Sequence, residues 1–255
     1  MGTKYSLIIT AYNQLPIFEG YIFPALKAQT IPQADFEVII ADDGSEDGLE
    51  EYCEKLGMAD KYVYQEDKGY GYTSIVNKAV AEADGEYLIF LSGDTYPAPN
   101  FLEEMGKALA PGRVVNGLRV NVNAIGDKVS DDWRLRFLPH FERMMVQQGV
   151  QIFPLHGYPN PWVHMTMNTI ACSRKIWDEV GGLSKEYDGG YGKMDWSFAM
   201  KALYSGYGLW WQTAAIGYHI DDGKPGRPDD ERNDIAFEQE IAMWRDKMNT
   251  KETTL

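Results

Sequence analysis

Tyr87-Leu88-Ile89-Phe90-Leu91-Ser92-Gly93-Asp94 is the stretch on which the fold turns. Its apolar and aromatic run, bounded by Gly85 and Gly93, predicts a strand buried on both faces. In open α/β sheets, ligands sit just beyond the carboxyl ends of such strands. Asp94 therefore stands where a bound ligand or cation is expected. Upstream, Phe36-Glu37-Val38-Ile39-Ile40-Ala41 repeats the pattern and runs into Asp42-Asp43-Gly44-Ser45. Buried strands that deliver acids to one sheet edge predict a site for a cation, a nucleotide or both.

The flanking sequence supplies the rest of a layered α/β unit. Tyr5-Ser6-Leu7-Ile8-Ile9-Thr10 predicts the first strand, followed by a helical stretch to about Gln29 that Pro24 bends or restarts. An acidic helix over 46–56 and a short strand at Tyr62-Val63-Tyr64 follow. Thr73 or Ser74 is placed to cap a helix whose apolar face is Ile75, Val76, Ala79, Val80 and Ala83. This β-α-β-α-β order predicts a parallel sheet. Downstream come a helix from Asn100 to about Leu109, a strand over 113–122, helices over 173–180 and 194–205, and a polar amphipathic helix over 229–248. From about 127 to 167 periodicity fails. That segment carries Trp133, His140, Phe141, Met144, Met145, Phe153, His156, Trp162 and His164, as a functional loop or lid would. The fold class is α/β, with a mixed, mostly parallel sheet flanked by helices.

Composition narrows the partners. The 255 residues carry a net charge of −14, which argues against nucleic acid, because neutralising phosphates takes clustered Lys and Arg. An anionic ligand would be held through a bridging metal or backbone N–H groups instead. Cys53 and Cys172 are too few for a disulfide framework and read as small core residues in a reducing compartment. No apolar run approaches the ~18 residues of a transmembrane segment. The expected location is cytoplasmic.

Four separated motifs fall in order: Thr10-Ala11-Tyr12-Asn13, Asp42-Asp43-Gly44-Ser45, Ser92-Gly93-Asp94, and Gly189-Gly190-Tyr191-Gly192-Lys193-Met194-Asp195-Trp196 at the opening of a helix. Together they resemble the inverting family-2 glycosyltransferases of the GT-A fold, over about residues 4–219. The resemblance implies a Rossmann-like GT-A domain: a nucleotide-sugar-binding half over 1–97, an acceptor-binding half over 98–220 with an irregular lid at about 123–168, and a C-terminal loop and helix over 221–255. It further implies a non-processive hexosyltransferase that moves a sugar from a UDP-sugar to a saccharide or other hydroxyl acceptor.

Residue roles follow from the same resemblance. Thr10, Ala11, Tyr12, Asn13 and Asp43 would hold the nucleotide, with Gly93 beside its phosphates. An aromatic ring stacks on a base, and a carboxylate accepts a uracil N–H. Asp94 would bind Mn²⁺ or Mg²⁺ across the diphosphate, and His219, at the end of the apolar stretch 214–218, is the second metal ligand. Asp195 matches the general base, kept ionised by the helix N-terminus. Lys224 and Arg227, in a Gly/Pro-rich loop, are placed to meet the leaving diphosphate. Ser92, Trp162, His164, Asn168, Met194 and Trp196 are donor or acceptor candidates. Two positions depart from the family pattern: Ser92 stands where an acid is expected, and Met194 stands where a Glu is expected. These departures keep a binding-only or inactive relative as one alternative. The other is a sugar-phosphate nucleotidyltransferase, although residues 11–16 lack the glycines and cations of a triphosphate loop.

Overall fold

β1 (Tyr5–Ala11), β2 (Phe36–Asp42) and β4 (Tyr87–Leu91) are almost wholly buried. Alternate side chains point to opposite faces of a sheet, so such strands need a core on each side. Ile8, Ile39, Leu88 and Phe90 feed one core; Leu7, Ile9, Val38, Ile40, Ile89 and Leu91 feed the other. The computed structural model describes residues 3–123, 127–130, 149, 151–155, 158–221 and 228–252.

The described strands form one ten-stranded sheet. Its path runs β3 (Lys61–Tyr64), β2, β1, β4, β9 (Ile170–Ser173), β6 (Arg113–Val122), β10 (Gly208–Ile220) and β5 (Thr95–Pro97). β7 (Lys128–Ser130) pairs with β6, and β8 (Ile152–Pro154) pairs with β10. The β3-β2-β1-β4 half is parallel, as is the β6–β10 pair. β9 runs antiparallel to both β4 and β6 and joins the halves. The sheet is therefore mixed and mostly parallel in its first half, as the sequence pattern predicts.

Helices cover both faces. After β1 come α1 (Leu15–Ile17), a π-turn at Phe18–Ile22 and α2 (Phe23–Lys27), so Pro24 restarts the helix in its first turn, where its missing N–H costs nothing. α3 is Leu49–Leu56, α4 Tyr72–Glu82, α5 Phe101–Ala108, α6 Arg174–Val180, α7 Met194–Tyr204 and α8 Glu231–Glu252. α8 runs close to the expected tail helix. The expected irregular stretch at 127–167 lies largely outside the described residues.

The capping of α4 differs from the sequence expectation. Neither Thr73 nor Ser74 is the N-cap; Gly71 is, and it has no side chain to offer. Asp188, far away in sequence, fills the gap. Its carboxylate accepts the Thr73 N–H at 2.8 Å, the Ser74 N–H at 3.2 Å and the Ser74 hydroxyl at 2.5 Å. A carboxylate there satisfies orphan donors and opposes the helix dipole. Asp188→Ala should lower unfolding stability by about 1–2 kcal/mol in urea titration.

Candidate active site

Strand register brings the motifs to one edge. Ala11 pairs with Asp42, and Asp42 pairs with Tyr64. Ile9 pairs with Leu91, so Tyr12, Asp43 and Asp94 all lie beyond the same carboxyl ends. The turns are stitched together. Asn13, in the left-handed region at φ 52°, donates its N–H to Ser45 Oγ at 2.8 Å, and its Oδ1 accepts the Glu46 N–H at 2.9 Å. Asx residues tolerate that backbone region. Gly93 is obligatory for a steric reason: a Cβ there would collide with the Thr10 carbonyl and the Gln14 amide.

Tyr12 is 46% exposed, so its ring is presented to solvent while its hydroxyl donates to Asp67 Oδ2 at 2.9 Å. Asp43 is half-buried and accepts the Gly71 N–H at 2.8 Å and Gln65 Nε2 at 2.5 Å. Burial pushes its pKa up; those two hydrogen bonds oppose the rise, and the charges of Asp188 and Asp67 add to it. Asp42 takes no part in the open site. It is 1% exposed and is held by Ser45 and by the Tyr62 hydroxyl.

Asp94 and His219 meet because β5 lies antiparallel on β10. Thr95 pairs with His219, and the Ile220 N–H donates to the Asp94 carbonyl at 2.8 Å. The side chains face each other, with His219 Nε2 at 3.3 Å from Asp94 Oδ2. Burial opposes ionisation of Asp94, yet the contact with His219, the Ser92 hydrogen bond and the Arg119 charge outweigh it. They hold the Asp94 pKa at about 2. A folded-state pKa below the ordinary value stabilises the fold above the ordinary value, and that contribution fades as pH falls towards 2.

This pair fits a hard or borderline divalent ion. Two cis ligands about 2.1 Å from an octahedral cation lie about 3 Å apart, close to the separation here. One carboxylate and one imidazole suit Mn²⁺ better than Mg²⁺. His219 Nδ1 is buried with no hydrogen-bond partner among the described residues. No group of three or more His, Cys, Asp or Glu able to hold a metal occurs among those residues, so a cation here needs ligand oxygens from elsewhere.

Asp195 opens α7, and its Oδ1 accepts the Trp196 N–H at 2.9 Å. The half-buried Tyr72 phenol and the Tyr191 phenol both have raised pKa values. Burial is the main cause, and the charges of Asp195 and Asp94 add to it. Both carboxylates thus act electrostatically on the same two tyrosines, and Tyr70 lies edge-on to Tyr191 and stacked on Tyr72.

The loop presenting Asp195 is clasped by the start of α8. Asn233, 1% exposed, donates through Nδ2 to the carbonyls of Gly192 at 2.9 Å and Gly190 at 3.0 Å. Lys193, in the left-handed region at φ 69°, reaches Asp229 at 2.5 Å and Asp234 at 3.0 Å. Gly192 has φ 98°, and a Cβ on it would run into Asp229.

The remaining candidates are dispersed. Asn168 donates to Ser92 Oγ at 2.5 Å and so belongs to the Asp94 cluster. Met194 is buried in the core. His164 is 4% exposed, with its ring against Tyr158 and Trp211 and its carbonyl accepting Trp211 Nε1 at 3.0 Å. Trp162 packs on Tyr204. Trp162 and Trp196 line one cavity of about 370 Å³ with Val163, Phe237 and Ile241. Lys224 and Arg227 lie outside the described residues. Sequence reasoning missed Arg119, Tyr72, Asp188 and Asn233. None left a signal in the sequence; it is the strand register that puts Arg119, two residues before Asn121, the β6 partner of His219, on the same sheet face.

The fold and this strand-end site define a GT-A glycosyltransferase architecture. The family model described as glycosyl transferase family 2 matches residues 6–160, and the chain belongs to that family. Validoxylamine A glucosyltransferase of Streptomyces hygroscopicus subsp. jinggangensis (strain 5008) is 26% identical over 205 residues, covering 72% of this chain and 48% of that protein. The chain thus spans about half the length of that relative. Among solved structures, S. aureus TarS 1-349 in complex with UDP-GlcNAc superposes with a TM-score of 0.65 at 19% identity, over 88% of this chain and 60% of that one. GalNAc-T7 with UDP, GalNAc and Mn²⁺ gives 0.70 at 16% identity, over 97% and 49%.

Proposed function

We propose that this chain transfers a sugar from a nucleotide-diphosphate donor, a UDP-sugar, to a hydroxyl acceptor with inversion at the transferred carbon. The observation that carries the reading is the Asp94–His219 pair, 3.3 Å apart at the same carboxyl edge of the sheet as Tyr12 and Asp43. The relatives are named as glycosyltransferases, and the superposed structures are complexes with UDP-GlcNAc or with UDP and Mn²⁺.

Tyr12 and Asp43 hold the base and ribose, by stacking and by accepting N–H or O–H groups. Asp94 and His219 would hold Mn²⁺, or less well Mg²⁺, which when bound would supply positive charge to the leaving diphosphate. Asp195 accepts the acceptor's hydroxyl proton. The acceptor oxygen forms the new bond to the sugar carbon as the carbon–phosphate-oxygen bond breaks, and UDP departs with the electron pair. Residues 1–97 form the donor half and 98–220 the acceptor half. Transfer is of a hexose, non-processive, in the cytoplasm.

The test is UDP or GDP release from a panel of UDP-hexoses, UDP-N-acetylhexosamines and GDP-mannose, with Mn²⁺, Mg²⁺ or EDTA. Metal-dependent release from at least one UDP-sugar is expected. UDP binding without release from any donor would instead identify a binding-only relative, the reading that Ser92 and Met194 favour.

A further inference from the structure

We infer that Asn168 and Ser92 form a neutral positioning pair in place of a second acid, so that the site takes its divalent cation together with a nucleoside diphosphate and not alone. The inference rests on the metal-dependent reading above.

The hydrogen-bond directions carry the first half. An Asn amide nitrogen only donates, so Asn168 Nδ2 at 2.5 Å obliges Ser92 Oγ to accept. The single Ser92 proton is then committed to Asp94 Oδ1, at 2.6 Å. Thr95 Oγ1 adds a longer contact to the same oxygen at 3.3 Å. Asp94 Oδ1 is thereby occupied, and Oδ2 remains turned to His219.

The pair is itself anchored. Asn168 Oδ1 accepts the Thr166 hydroxyl at 2.8 Å, and the Thr166 N–H donates to Asn116 Oδ1 at 2.6 Å. Asn116 is fully buried, and its Nδ2 donates to Thr169 Oγ1 at 2.9 Å. A chain of hydrogen bonds thus links buried Asn116 of β6 to the Asp94 carboxylate, with Thr166 donating both to Asn116 and toward the site through Asn168 and Ser92. Such outer groups hold a metal-binding carboxylate in one rotamer, and losing them typically costs 10–100-fold in metal affinity.

Charge carries the second half. An acid at position 92 would place a second negative charge beside the cation; a hydroxyl supplies none. One carboxylate and one neutral imidazole leave half of a divalent charge uncompensated, and no third His, Cys, Asp or Glu ligand joins them among the described residues. Diphosphate oxygens provide both the missing charge and the missing ligands.

Mn²⁺ binding followed by electron paramagnetic resonance, with and without UDP, tests the inference apart from catalysis. Wild type should bind Mn²⁺ alone at least 100-fold more weakly than in the presence of UDP. Ser92→Asp should tighten binding of Mn²⁺ alone by tenfold or more. Ser92→Ala and Asn168→Ala should weaken Mn²⁺ in the UDP complex by about 10-fold or more and alter its spectrum, with metal-free UDP affinity unchanged. Ser92→Thr, which keeps the hydroxyl, should restore most of that loss. Equal Mn²⁺ affinity with and without UDP would overturn the inference, as would an unaltered spectrum and affinity in both alanine variants. Failure of the glycosyltransfer reading shows separately, as absence of nucleotide release from every donor while these binding results hold.

Discussion

Asp195→Asn should abolish transfer, lowering turnover by about 10²–10⁴-fold, the usual contribution of a positioned general base. The amide keeps the size of the side chain and an oxygen able to accept the Trp196 N–H at the start of α7, so folding should be preserved. Asp195 is outside the Asp94–His219 pair, so calorimetry should find UDP affinity in Mn²⁺ within twofold of wild type. Unimpaired transfer by this variant removes Asp195 from its role.

Asp94→Asn should strike the other half of the site. The variant keeps an oxygen for the Ser92 hydroxyl but loses the charge that faces His219. UDP affinity should become indifferent to Mn²⁺, and transfer should fall by about 10²–10³-fold, the scale of losing one preorganised electrostatic contact. The two variants separate the roles: Asp195→Asn should lose turnover and retain metal-assisted UDP binding, and Asp94→Asn should lose both. Continued dependence of UDP affinity on Mn²⁺ in Asp94→Asn would place the cation elsewhere.

The strand-end edge that carries Tyr12, Asp43 and Asp94 was legible in the sequence because strands buried on both faces leave a continuous apolar signature. The register of β1, β2 and β4 then follows from burying those faces. His219 was legible for the same reason, at the end of β10. Contacts across long sequence separations left no periodic trace. Asp188 caps a helix that begins at Tyr72, and Asn233 holds carbonyls at Gly190 and Gly192. A single polar residue in a loop looks alike whether it faces water or a distant backbone. Aromatic content was ambiguous as well: Trp162 and His164 read as site candidates, and the fold buries both, because aromatic rings also serve as the bulk of a core.

The clasp at the start of α8 has a consequence for the order in which competence is acquired during synthesis. The edge of Tyr12, Asp43 and Asp94 is built from strands that precede residue 94, whereas the loop bearing Asp195 is held by Asp229, Asn233 and Asp234, which are made well after them. A nascent chain folds from its amino end. The edge that carries Tyr12, Asp43 and Asp94 can therefore form before the Asp195 loop is fastened, and on the proposed roles turnover of a donor waits both on His219 and on that fastening.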